Sequence, residues 1–314
     1  MKKLFVHHKD PLVLEALLPQ LMPANFSYAY GRYLGDYESY HLILIDDECY
    51  QELTYEVKRC SKIIAKHGRE AFDSEYFDLE DTLIDYSSSG AAMSVLGQGQ
   101  MKPLRLDFEQ FAYRQRLLRG GRQKESVARA VLSGISDGDL IFDATAGLGR
   151  ESMILAHAGA RVISFERQIP IWLILYDALE RASSSRFFPF TLPQLCPVGT
   201  IANYQQALDN NSPSRAWSYL LGKLQGARPE VIYYDPMFPE REKSAQVKKD
   251  MFLFQQVIGA DLDTQEFLAC ACQLALQRVV VKRPSNAEVV SVPGIERSYC
   301  VDGGQCRFDC YQCS

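Results

Sequence analysis

The chain lacks several things that would each name a function class. No stretch approaches the roughly 18 uncharged apolar residues that a membrane span needs. The start, MKKLFVHHKDP, has two lysines but only a three-residue apolar run, which makes a poor signal peptide and leaves a cytoplasmic location as the expectation. No internal repeat and no heptad run is visible. The histidines His7, His8, His41, His67 and His157 fall in no metal-binding spacing with carboxylates. Of the nine cysteines, Cys300, Cys306, Cys310 and Cys313 crowd the tail, yet they contain one CxxC pair and no second. A zinc site is therefore not expected, and RFDCY alternates like a strand. A net charge of −5 argues against unspecific coating of nucleic acid, although a local basic patch remains compatible with it.

What is present is ordinary in bulk: 314 residues, 47% hydrophobic and 23% charged, enough for a sizeable core and two domains. The pattern divides the chain into a smaller α+β region at 1–105 and a regular domain at 106–314. In the first region LFV and HLILID read as strands and PLVLEALLPQL as a helix, with SYAYGRYLGDY between the last two. The Ser/Gly-rich IDYSSSGAAMSVLGQGQ (84–100) reads as a linker. The second begins with PLRLDF as a short strand and a basic segment, RQRLLRGGRQK. LIFDATAG, RVISFER, PEVIYYD and QRVVVKRP then read as buried strands alternating with helices at ESVARAVLSG, RESMILAHAG, IPIWLILYDALERA and 243–257. Alternation of this kind implies a mostly parallel sheet covered on both faces, and SYCVDGG with QCRFDCYQC adds an antiparallel hairpin. The expected fold is a Rossmann-like α/β domain.

Two strand ends carry chemistry. Asp143–Ala144–Thr145–Ala146–Gly147–Leu148–Gly149–Arg150 joins a strand to a helix, where Gly147 and Gly149 let the backbone approach a ligand. The dinucleotide fingerprint would place its third glycine where Ser152 stands, so GxG alone is weak. Glu166 at the end of the next strand can accept the two hydroxyls of a ribose, or merely pair with Arg150 or Arg167 on the surface. Asp143 suits an ammonium better than a pyrophosphate, which favours S-adenosylmethionine over NAD. Further on, Val231–Ile232–Tyr233–Tyr234–Asp235–Pro236–Met237–Phe238–Pro239 stops a buried strand on a carboxylate, two prolines and a ring. Asp235 and the carbonyl of Pro236 could accept both hydrogens of a planar amine while Phe238 stacks on its base. An acidic helix cap with structural prolines is the plainer alternative.

Together DATAGLGR, FER, YYDPMFPEREKSAQVKKDM and RVVVKRP resemble the RsmJ family, bacterial small-subunit (16S) rRNA guanine-N2 methyltransferases, over about 105–314. The resemblance implies a class I methyltransferase fold, S-adenosylmethionine as cofactor, and 16S rRNA or the small ribosomal subunit as partner. It carries the family's cofactor contacts onto Arg150, Glu151, Glu166, Arg167 and Asp235, and onto Asn203 and Tyr204, where the family tends to show small hydroxyl residues. The family's stretch matching RLLRGGRQK is richer in glycine, and sequence around 52–98 looks additional. Three basic runs read either as solvated faces or as phosphate contacts: Arg114, Arg116, Arg119, Arg122 and Lys124; Arg241, Lys243, Lys248 and Lys249; Lys282 and Arg283. An adenine-N6 or DNA amino-methyltransferase, and a silent RNA-binding assembly factor, fit the same residues; an oxidoreductase fits them less well. No cysteine lies in the DPMFP loop, which disfavours a covalent enzyme intermediate.

Overall fold

A computed structural model describes residues 2–8, 33–37, 40–72, 74, 77–87, 89–98, 102–209, 215–236 and 264–313. These form two compact units that adjoin in sequence at Leu106 and Asp107.

The first unit is built on strands β1 (Lys2–His8), β2 (Tyr33–Tyr37), β3 (Tyr40–Ile45), β4 (Thr82–Ser87), β5 (Gly90–Val95) and β6 (Leu104–Arg105), with helix α1 (Asp47–His67). They make one sheet in the order β2-β3-β1-β4-β5-β6. β1 runs parallel to β3 and β4, and the outer strands are antiparallel. The linker expected at 84–100 is instead a hairpin: Ser87 pairs with Gly90 across the turn, and Ala91, Ala92 and Met93 are buried. Small residues mimic loop composition but fit a strand whose two faces are both covered. The short strand in PLRLDF pairs with β5 in this same sheet. α1 starts where the Asp46 carboxylate accepts the N–H of Cys49 at 2.9 Å, and it ends at Gly68, whose φ is +86°. Leu53 and Cys60 of α1 pack with Phe5, Ile45, Phe77 and Leu83. The helix expected at 11–21 lies outside the described residues.

The second unit holds β7 (Leu140–Asp143), β8 (Arg161–Ser164), β9 (Gln194–Leu195), β10 (Val231–Tyr234), β11 (Arg278–Pro284), β12 (Tyr299–Asp302) and β13 (Cys306–Gln312). Its order is β12-β13-β11-β10-β7-β8-β9, with the last five parallel and β13 inserted antiparallel between β11 and β12. Helices α2 (Phe111–Arg119), α3 (Ser126–Val131), α4 (Arg150–His157), α5 (Ile169–Ser183), α6 (Ile201–Asp209), α7 (Arg215–Leu224) and α8 (Thr264–Leu274) complete it. Leu140 and Phe142 face a core shared with α6, α7 and α8. The alternate residues Ile141 and Asp143 face the other way, where α3 packs on β10 and β13. From β7 the strand order runs through β8 to β9 on one side and through β10 to β11 on the other. That reversal opens a crevice at the carboxyl ends of β7 and β10, where ligands bind in open α/β sheets. The helix expected at 243–257 is outside the described residues.

Candidate active site

β7 and β10 end side by side, with Asp143 in register with Tyr233. The loop leaving β7 is tied down on both flanks: Ala144 N–H donates to the carbonyl of Tyr233 at 2.9 Å, and Ala146 N–H to that of Phe165 at 2.8 Å. It then turns through Gly147 (φ +51°) and Gly149 (φ +70°), left-handed conformations that favour glycine. A Cβ on Gly149 would also stand 2.5 Å from Leu175 Cδ1 and 3.1 Å from Phe108 Cζ.

Glu166 is nearly buried just past β8. Its Oε2 accepts Gly147 N–H at 3.0 Å and its Oε1 accepts Gln168 N–H at 2.7 Å. This carboxylate therefore shapes the glycine turn from the neighbouring strand.

Asp143 corrects an expectation. Its side chain is 1% exposed and turned inward, accepting from Thr145 N–H at 3.2 Å and from Ser152 Oγ. Ser152 in turn accepts from Ser164 Oγ at 2.9 Å. Burial pushes the Asp143 carboxyl up to about 7, against the hydrogen bonds that pull it down. It braces the loop and does not face outward toward an ammonium. Ser152, read in the sequence only as a missing glycine, is the relay of that brace.

Asp235, just past β10, is fixed twice. Its N–H donates to Thr145 Oγ1 at 2.7 Å, and its Oδ2 accepts from Lys282 Nζ at 2.7 Å. Lys282 also stands 3.6 Å from Glu151 Oε1, so one ammonium joins the β10 end to the first turn of α4. Burial pulls Lys282 down, and Asp235 and Glu151 more than reverse it, leaving the lysine above its ordinary value. This corrects its assignment to an RNA-facing rim. Thr145 sat unremarked within DATAGLGR. Pro236 is buried behind Asp235, whereas Phe238 lies outside the described residues.

The remaining assignments separate. Tyr204 is fully buried in the core against Phe142, its hydroxyl donating to the carbonyl of Ala227 at 2.7 Å, so it is not a cofactor contact. Asn203 Oδ1 accepts from both Thr200 N–H (2.8 Å) and Thr200 Oγ1 (3.0 Å), which ties this oxygen back to the residue that precedes α6. Arg150 is exposed at the start of α4, and Arg167 is half-buried beside Glu166.

Among the basic residues, Arg122 donates to the carbonyls of Ala158 and Ile135 and to Asp137, a structural clamp and not a phosphate contact. Arg116 is paired with Glu125, while Arg119 and Lys124 are exposed. Arg114 lies 3.4 Å over the Phe187 ring. Arg283 donates to the carbonyl of Glu288 at 2.7 Å. Arg241, Lys243, Lys248 and Lys249 are outside the described residues.

Residues 75–313 match the family model described as "Putative SAM-dependent methyltransferase". The ribosomal RNA small subunit methyltransferase J of Pseudomonas paraeruginosa is 39% identical over 238 residues, covering 74% of this chain and 83% of that protein. The protein of the same name from Pseudomonas syringae is 37% identical over 235 residues, covering 74% and 80%. The crystal structure of a SAM-dependent methyltransferase from Neisseria gonorrhoeae shares the fold, with a TM-score of 0.58 at 20% identity, covering 99% of this chain and 96% of that one. The shared fold thus takes in the first unit as well, including the stretch at 52–98 that looked additional. The chain belongs to this family of S-adenosylmethionine-dependent methyltransferases, the one that holds the ribosomal RNA small subunit methyltransferases J.

Proposed function

We propose that the chain methylates the exocyclic 2-amino group of a guanosine near the 3′ end of 16S rRNA, in the cytoplasm, with the RNA or the small ribosomal subunit as its partner. The observation that carries the reading is Asp235, held at the switch of the sheet by Thr145 and Lys282, one residue before a proline. Relatives named for small-subunit ribosomal RNA support the substrate class. The choice of guanine rests on the resemblance of DPMFP and the residues after it.

The donor set suits the cofactor. The glycine turn brings the backbone close to the crevice, and Glu166 beside it keeps acceptor capacity on both carboxylate oxygens, which suits the hydroxyls of a ribose. Asp235 follows the strand adjacent to β7. Arg150, Glu151 and Arg167 border the same turn. When bound, S-adenosylmethionine supplies a methyl group on an electrophilic sulfonium.

The protein's part is positioning and proton removal. The lone pair of an aromatic amine is delocalised into the ring, so it attacks poorly until the nitrogen pyramidalises. The Asp235 carboxylate and the Pro236 carbonyl each accept one N–H, which turns the lone pair out of the base plane. Lys282 fixes the rotation of the carboxylate. Phe238 stacks on the base. The N–CH3 bond would form as the S–CH3 bond of the donor breaks and releases a neutral thioether, and the nitrogen, now cationic, would lose its proton to Asp235.

The test is nucleoside analysis of small-subunit rRNA from cells lacking the protein, complemented with the parent or with Asp235→Ala. N2-methylguanosine should vanish, return with the parent, and stay absent with Asp235→Ala although that protein still binds RNA. A change in N6-methyladenosine instead would establish the adenine reading. Full restoration by Asp235→Ala would remove Asp235 from the mechanism.

A further inference from the structure

Helix α2 presents an unusual outer face. At 100° per residue, Phe111, Gln115 and Leu118 form one stripe, bounded by Arg114 on one side and Arg119 on the other. Phe111 is 74% exposed and Leu118 66%. Single exposed apolar residues need no explanation, but an aromatic and a leucine on one stripe between two guanidiniums do. The cations are also arranged. Arg114 and Arg186 lie over one ring, that of Phe187, at 3.4 and 5.4 Å from its centroid. Arg119 has no hydrogen bond or ion pair among the described residues. Of the acids nearest in sequence, Glu125 is bound by Arg116, and Glu109 precedes the helix.

The inner face of the same helix is bolted to the cofactor loop. Tyr113 OH donates to the carbonyl of Arg150, the first residue of α4, at 2.9 Å. Phe108, in ring contact with Tyr113, packs against Gly149. The outer stripe is therefore held at a fixed offset from the residues that would hold the methyl donor.

A ring that is open to solvent and flanked by guanidiniums is what an unpaired nucleotide recognises, since every base has a π-face and every linkage a phosphate. We infer that the outer face of α2 is a stacking platform for an unpaired base neighbouring the target nucleotide, with Phe111 beneath the base and Arg114, Arg119 and Arg186 on the adjoining phosphates. This rests on the reading of the substrate as RNA. It assigns the platform a task within that reading: to grip a flanking base while the target amine is presented at Asp235.

The test compares the full-length parent with Phe111→Ala and Phe111→Trp. Three quantities are read: affinity for a short unpaired RNA carrying 2-aminopurine, quenching of that fluorophore, and affinity for S-adenosylhomocysteine. Phe111→Ala should weaken RNA binding about tenfold and abolish the quenching. Phe111→Trp should keep both, and S-adenosylhomocysteine affinity should be the same in all three. RNA affinity within about twofold of the parent in Phe111→Ala, with quenching intact, overturns the platform. So does equal loss in Phe111→Trp, because a tryptophan stacks at least as well. Methylation of rRNA by the parent is measured alongside. Its absence with the platform behaviour intact would sink the reading of the reaction alone, whereas methylation with an indifferent Phe111 would sink the platform alone.

Discussion

Asp143 shows how one buried side chain can shape a loop from within. A carboxyl buried this completely favours its protonated form, and the ordinary value of 3.8 is raised to about 7. The folded state then holds the proton more tightly than the unfolded chain. This group's contribution to stability is full below about pH 4 and is lost as pH rises toward 7. Asp143→Asn keeps the shape and removes the titration. In denaturant unfolding, the stability of the variant relative to the parent should therefore grow with pH between about 4 and 7; a difference that stays flat would mean the carboxyl is not titrating there. The same residue marks the limit of sequence reading. DATAGLGR announces a loop that meets a ligand, but which side chains turn inward depends on Ser152 and Ser164, contributed by another helix and another strand. Tyr204, Arg122 and Lys282 were misassigned for a related reason. Residue type and strand-end position say that a polar group is available, and only packing across tens or hundreds of residues decides what it meets.

At the scale of elements, the parallel strands were legible because each is a short apolar run ended by a turn signal: LIFD, RVIS, VIYY and RVVV. α4 and α5 followed from their spacing. α1 goes unread although Cys49, Leu53, Val57 and Cys60 recur at helical spacing on the side that packs against the core, because polar and charged residues fill most of its other positions. β9 has only two residues. β5 was hidden by its alanines. The turn from β7 into α4 is the element on which the proposed chemistry most depends, and it is backbone-specified. Gly149→Ala would put a side chain into a left-handed conformation and against Leu175 and Phe108. We expect a loss of about 1–2 kcal/mol from the backbone conformation alone, seen as a lower Tm, together with weaker S-adenosylhomocysteine binding by calorimetry. Parent-like values for both would show that the turn tolerates a Cβ.

Across the whole molecule, the family match begins at residue 75, inside the chain segment of the first unit. The sheet of that unit does not divide there. β4 takes β1 as its parallel neighbour from Leu4–Thr82 to His8–Tyr86, and the Asp81 carboxylate accepts the N–H of Lys3 at 2.6 Å. A chain starting at residue 75 would leave β4 as a bare edge, with the fully buried Ile84 uncovered. It should aggregate on size exclusion and lack the cooperative melt of the full chain; a monodisperse, sharply melting fragment would show that β4 to β6 need no partner. The second sheet carries a different dependence, in time rather than in space. β13 is made after β11 and β12, yet it lies between them in the sheet, pairing with β11 from Arg278–Gln312 to Pro284–Cys306 and with β12 on its other edge. During synthesis, which runs at about 5–20 residues per second, β11 waits with one edge open until the residues of β13 have left the ribosomal tunnel. The nascent chain must keep that apolar edge from foreign strands throughout the interval, so a pause in translation just after β11 would be the moment of greatest risk.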